Sequence, residues 1–316
     1  MNLKSFDFLG IKKYTLTASA ILMGLIIACA LIFGVLLNVQ FSGGTIVTYT
    51  YTGTIDEAAV KEAAETALQK SVSVNTKKGV NNLDSFEIVL NEKEGISADA
   101  QGKLTDEITK TFADNDVKLL SNSTVDPIIG MEFFAKSLVA IALAAVLIVI
   151  YVAFRFKRIS GWSSGVMALM ALLHDAIVVF GVFVIFRIPL DFNFVAVILT
   201  ILGYSINDTI IIYDRMRENQ RLYSDLSRTV LVNRSIGETL SRTINTTLTT
   251  IAAIAVICVV AVVCHVESIL SFAFPLLIGM ISGTYSTIFV ACPLWTIWQD
   301  HKAKRSPKKA FAKSAR

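Results

Sequence analysis

The chain has 316 residues, 54% of them hydrophobic and 17% charged, with a formal net charge of +4 at pH 7. A mean hydropathy of +0.62 excludes an ordinary soluble domain and makes this a membrane protein. The small positive excess reflects which loops hold Lys and Arg, so it gives no reason to expect nucleic acid as a partner.

Six apolar runs are long enough to cross about 30 Å of hydrocarbon as helices, which takes roughly 18 or more residues. They lie near 15–37, 134–154, 162–186, 192–213, 246–266 and 271–298. Lys12, Lys13 and Ala28-Cys29-Ala30 give the first run the look of a signal peptide, but its length to Leu37 predicts a retained helix.

Residues 39–130 are polar and patterned like a separate α+β domain. A β-rich run at Thr45–Tyr51 leads to a helical stretch at Asp56–Gln69, a strand at Val72–Thr76, a turn at Gly79–Asn82 and a strand at Phe86–Leu90. A helix at Ala98–Phe112, capped by Ser97, and a strand at Val117–Val125 complete the order βαββαβ. That order predicts a ferredoxin-like domain with helices on one face of an antiparallel sheet. The expected organisation is an N-terminus and first span at 1–38, this domain at 39–130, a five-helix bundle at 131–298 and a basic tail at 299–316.

Lys and Arg set the expected orientation. Lys4, Lys12 and Lys13 precede the first span, Arg155, Lys157 and Arg158 follow the second, and Arg215, Arg217, Arg221, Arg228 and Arg234 crowd the fourth-to-fifth connection. The opposite short loops hold only Arg187 with Asp191, and His265 with Glu267. The positive-inside rule then puts both termini in the cytoplasm and the 39–130 domain outside. The tail from Lys302 to Arg316 is free to rest on anionic lipid of the bilayer.

No Gly-rich nucleotide loop, HExxH or paired-cysteine pattern is present, and Cys29, Cys258, Cys264 and Cys292 fall in or beside the spans. No cofactor is expected. What remains is polar chemistry at membrane depth. His174 and Asp175 sit midway along the third span, and Tyr204, Ser205, Asn207 and Asp208 form a patch in the fourth, with Tyr204 one helical turn from Asp208. Ahead of the fifth run, SRTINTTLTT brings Arg242 to the membrane boundary before Thr243, Asn245, Thr246, Thr247, Thr249 and Thr250. A buried carboxylate serves either as an ion or proton relay or as a hydrogen-bonding tie between helices. His174–Asp175 is open to both readings, the hydroxyl stripe to packing, and Arg242 to snorkelling. Gly43-Gly44 is either a hinge below the domain or a simple turn with positive φ.

GYSINDTIIIYDRMREN at 203–219 closely resembles the fourth-helix motif of the SecD/SecF family of protein-export membrane proteins, part of the resistance-nodulation-division superfamily. QFSGGT at 40–45, LLHDA at 172–176 and SRTINTTLTT at 241–250 agree with it. The resemblance covers the whole chain, on the SecF side of the family. It implies half of a twelve-helix unit with SecD as the other half, association with the SecYEG channel, and work on a translocating preprotein driven by a proton or sodium gradient. It also implies an ion-coupling path through Asp208 and Arg242. Gln40 stands where the family motif usually has Asp, which removes a charge there.

Two rivals follow from the same residues. Asp175 and Asp208 on neighbouring helices are the raw material of an intramembrane aspartyl protease, although its Gly-x-Gly-Asp pattern is missing. A half-size lipid or drug exporter of the same superfamily fits less well with the small exterior domain.

Overall fold

The computed structural model describes residues 6–77, 84–90, 97–264 and 266–305. Helix α1 (Lys12–Phe33) leads through a short helix α2 (Val39–Ser42) into strand β1 (Gly44–Tyr51). Helix α3 (Glu57–Leu68), strands β2 (Ser73–Lys77) and β3 (Asp84–Leu90), helix α4 (Ala98–Thr111) and strand β4 (Lys118–Val125) follow. The βαββαβ order is as expected. The sheet runs β2-β3-β1-β4 with every neighbouring pair antiparallel, the ferredoxin-like arrangement.

Alternation explains this sheet. Val47, Tyr49 and Tyr51 of β1 and Phe86, Ile88 and Leu90 of β3 are all buried on the face covered by α3 and α4, where Val60, Ala64, Leu104 and Ile108 meet them. Tyr49 pairs with Phe86 across the strands, their rings stacked 5.3 Å apart. Asp56 and Ser97 cap the two helices by accepting from Ala58 N and Ala100 N. Strand β3 begins two residues earlier than the hydrophobic run alone indicates, because Asp84 and Ser85 pair with Tyr51 and Thr50. The turn expected at Gly79–Asn82 lies outside the described residues.

The membrane part consists of α5 (Pro127–Arg155), α6 (Gly161–Ile185), α7 (Phe192–Leu222), α8 (Arg228–Val263), α9 (Glu267–Ser286), a π-helical turn at Thr287–Ala291, and α10 (Cys292–Arg305). Among the described residues six helical spans are long and apolar enough to cross a membrane. Their apolar cores fall where expected, but two helices run well past them. Helix α7 continues nine residues beyond 213, and α8 starts at Arg228, so Arg242 and the hydroxyl stripe lie inside one continuous helix rather than ahead of it. Hydropathy marks where the bilayer ends; helix propensity and the Ser227 cap on Val230 N mark where the helix ends. The expected sixth span is interrupted by the π turn, and the tail from 306 lies outside the described residues.

Helices α6 and α9 occupy the centre. Large apolar side chains of α1, α5 and α8, such as Leu31, Leu147 and Val263, face outward as a hydrocarbon-facing surface must. Glycines set the close approaches. A Cβ on Gly279 of α9 would stand 2.0 Å from Ile201 Cδ1 of α7, and one on Gly283 would stand 3.0 Å from Ser205 Cβ. Together these residues form a small-xxx-small contact.

The domain joins the bundle through several bonds. Asn38 N donates to Leu190 O at 2.9 Å and Leu190 N to Leu36 O at 2.8 Å, a parallel bridge between the linker and the loop before α7. Gln40 Oε1 accepts from Phe192 N at 3.2 Å, and Asp191 takes the next two N–H groups of α7. Burial raises Asp191 above the ordinary carboxylate range despite those backbone bonds. Phe41 is fully buried between Phe134 and Phe192, each ring 5.3 Å away. Gly43 and Gly44 have φ of 77° and 132°. That is the left-handed backbone a glycine turn takes, and it leaves the hinge reading untested.

Candidate functional site

Among the described residues two polar clusters within the bundle centre on an aspartate, each assembled from three helices. The first centres on Asp175 of α6, which is fully buried. Ser205 of α7 and Ser286 of α9 donate to its Oδ2, and Ser282 of α9 to its Oδ1, each at 2.7 Å. His174 Nδ1 lies 3.3 Å from Oδ1 and 3.4 Å from Ser282 Oγ, while its Nε2 is buried without a partner among the described residues. The spacing of Ser282 and Ser286, one helical turn, puts both hydroxyls on the α9 face that meets Asp175.

The second centres on Asp208 of α7, also buried at 2% exposure. Its Oδ2 accepts from Thr284 Oγ1 of α9 at 3.4 Å. Thr284 is 2.8 Å from Thr247 Oγ1 of α8, and Tyr204 OH donates to Thr247 at 3.4 Å. Tyr204 and Asp208 thus share one face of α7 and one hydroxyl chain, as their spacing predicts. Among the described residues the hydrogen-bond partner of the Asp208 carboxylate is the neutral Thr284, and the two aspartates do not hydrogen-bond each other.

Asn207 and Arg242 are placed elsewhere. Both are exposed and line a cleft of about 840 Å³ between α7 and α8, together with Asp214, Arg221 and Thr239. The Arg242 guanidinium makes no hydrogen bond or ion pair among the described residues, so the structure does not pair it with Asp208. At the mouth of this cleft Glu238 accepts from Arg215 Nε at 2.7 Å, Arg234 Nε at 2.8 Å and Asn219 Nδ2 at 2.7 Å. Asp214 bonds Arg155 of α5 and Arg217. The arginines that mark one membrane side in the sequence therefore also tie α5, α7 and α8 together.

Sequence reasoning missed Ser282, Thr284 and Ser286, the α9 hydroxyls that reach both aspartates. The stretch GMISGTYST at 279–287 holds the available signal: a Gly-xxx-Gly contact face interleaved with hydroxyls in an otherwise apolar run.

With this geometry in hand, the comparisons with known proteins are direct. A family described as "Protein export membrane protein SecD/SecF, C-terminal" matches residues 104–301. The protein translocase subunit SecF of Alicyclobacillus acidocaldarius is 32% identical over 310 residues, covering 96% of each chain. That of Helicobacter pylori strain J99 is 32% identical, covering 90% of this chain and 84% of the relative. The SecDF subunit of Thermus thermophilus is 31% identical over 96% of this chain, which spans 40% of that longer protein. A crystal structure described as SecDF, a translocon-associated membrane protein from Thermus thermophilus, is similar with a TM-score of 0.78 at 29% identity, covering 93% of this chain and 39% of that one. The chain belongs to the SecD/SecF family of protein-export membrane proteins, on its SecF side.

Proposed function

We propose that this protein is an accessory subunit of Sec protein translocation that uses a proton or sodium gradient to promote export of polypeptides, with Asp208 as the ion-carrying carboxylate. One observation carries the reading: Asp208 is buried at membrane depth and, among the described residues, its carboxylate is hydrogen-bonded to a hydroxyl chain, Thr284–Thr247–Tyr204, with no Lys or Arg paired to it. A carboxylate held by neutral donors can exchange its charge for a proton or a cation, whereas one locked to Arg or Lys cannot. The cleft lined by Asn207 and Arg242 supports a route from Asp208 toward the arginine-rich, cytoplasmic side. Ion binding and release couple to work if the two states favour different helix arrangements, and the links from Asn38 and Gln40 to the start of α7 give such a change a path to the exterior domain.

The partners in this reading are SecD, which completes the helical unit, and the SecYEG channel with its preprotein. The likeness to fused SecDF proteins supports the first. The test is completion of preprotein export in inverted vesicles containing this chain, SecD and the channel, under separate proton and sodium gradients. Asp208→Asn keeps the side-chain shape and should abolish gradient-driven completion at normal abundance. Normal export by that variant removes Asp208 as the carrier.

A further inference from the structure

We propose that Asp175, Ser205, Ser282 and Ser286 form a binding site for a single dehydrated sodium ion, separate from Asp208. The starting point is an unbalanced charge. Asp175 is fully buried where α6, α7 and α9 meet, and among the described residues no Lys or Arg is paired with it. Buried carboxylates in a bilayer are neutralised by a cation, a proton or a salt-bridge partner.

His174 is the one titratable neighbour in hydrogen-bonding reach, and its geometry argues against its being the counter-ion. A neutral ring that donates from Nδ1 to Asp175 leaves Nε2 as a bare acceptor. An imidazolium would bury a second N–H with nothing to receive it. A proton on Asp175 would engage one of the converging hydroxyls, whereas a cation engages all of the oxygens at once.

The donor set suits a small alkali cation. Two carboxylate and three hydroxyl oxygens converge from three helices, all hard ligands, and the single negative charge balances a monovalent ion rather than a divalent one. Each hydroxyl can turn a lone pair inward by handing its proton to a carbonyl of its own helix. Ser286 Oγ already lies 3.1 Å from Gly283 O. The oxygens lie in direct contact, 2.7 Å from hydroxyl to carboxylate, so the smaller alkali cation needs the smaller opening of the cluster, which favours sodium over potassium. The π turn that begins at Thr287, directly after Ser286, is a second indication, since such breaks in membrane helices cluster at ion and functional sites.

The site does not depend on the role given to Asp208, and the experiment separates the two. Purified full-length protein in detergent, free of sodium, is titrated with ²²Na⁺ at constant ionic strength in potassium, with apparent Tm followed in parallel. The expected result is saturable sodium binding whose stoichiometry falls by one ion per chain in Asp175→Asn, and a sodium-dependent rise in Tm that potassium does not reproduce and that shrinks in the same variant. Ser286→Ala keeps the charge and should weaken binding by about tenfold, the effect of one altered ligand-shell group, so the test survives if Asp175→Asn fails to fold. Asp208→Asn removes any ion held there and should keep the one that is lost in Asp175→Asn. Absence of sodium-specific binding in the wild type, unchanged stoichiometry in Asp175→Asn, undiminished affinity in Ser286→Ala, or no bound sodium in Asp208→Asn would each overturn the assignment.

Discussion

Gly283→Ala tests whether the α7–α9 contact holds the Asp175 cluster together. The added methyl would stand 3.0 Å from Ser205 Cβ and 3.2 Å from Ser205 Oγ, closer than packed atoms tolerate. Ser205 has little freedom to yield, since it is buried and its hydroxyl is held on Asp175 at 2.7 Å. Either the helices part, an overpacking cost of about 1–3 kcal/mol, or Ser205 gives up its bond to Asp175, a loss of about 1.5–3 kcal/mol for a hydrogen bond to a charged group. Replacing Gly by Ala inside a helix returns about 1 kcal/mol, leaving a net destabilisation of about 0–2 kcal/mol. At about 2 °C per kcal/mol for a chain of this size, apparent Tm in detergent should fall by up to about 4 °C at fixed scan rate, and lie about 2–6 °C below that of a Gly→Ala variant with no close contact. Gly203→Ala is the matched control: its Cβ meets nothing within 4 Å, and the same helix-propensity term should leave Tm unchanged or slightly raised. Equal Tm values for the two variants would refute the claim that close α7–α9 packing at Ser205 organises the cluster.

In a cysteine-free background, a cysteine at Asp114 should react with an impermeant reagent from outside the cell, and one at Ser224 only after permeabilisation; the reverse pattern would invert the orientation. Residues 39–130 expressed alone should be soluble with mixed α/β circular dichroism, and an all-helical spectrum would contradict the sheet. That isolated domain should also lose stability in alkali: burial, partly offset by the Thr105 hydrogen bond, raises the Tyr49 phenol above its ordinary value. Its stabilisation is therefore complete below about pH 10 and declines as pH rises further. A denaturant midpoint unchanged between pH 9 and pH 11 would count against a buried Tyr49. Gln40→Leu removes the acceptor for Phe192 N at a cost of about 1 kcal/mol, small because the bond is exposed. Vesicle export should drop more than abundance if Gln40 transmits motion, and in step with abundance if it only stabilises.

The α+β domain was legible because strict two-residue alternation in β1 and β3 names both the strands and their buried face. The spans were legible because nothing soluble holds six such apolar runs. Helix ends were not, since Arg228–Arg242 is as helical as the apolar part of α8 but invisible to hydropathy. The aspartates stood out by charge, and Tyr204 by spacing. Their partners on α9 did not, because Ser and Thr are common packing residues in membrane helices and only the fold decides which face a carboxylate. Short helix α2 also escaped notice: four residues carry no periodicity, and it is held by the Asn38 cap and the burial of Phe41.

The bridge between Leu37 and Leu190 is made of main-chain atoms. A connection of that kind uses no side-chain atom, and Gln40 adds a side-chain reinforcement beside it. Proline at Asn38 or Leu190 deletes one of its two N–H donors, so at those two positions a pyrrolidine ring would cut a link that no side chain makes.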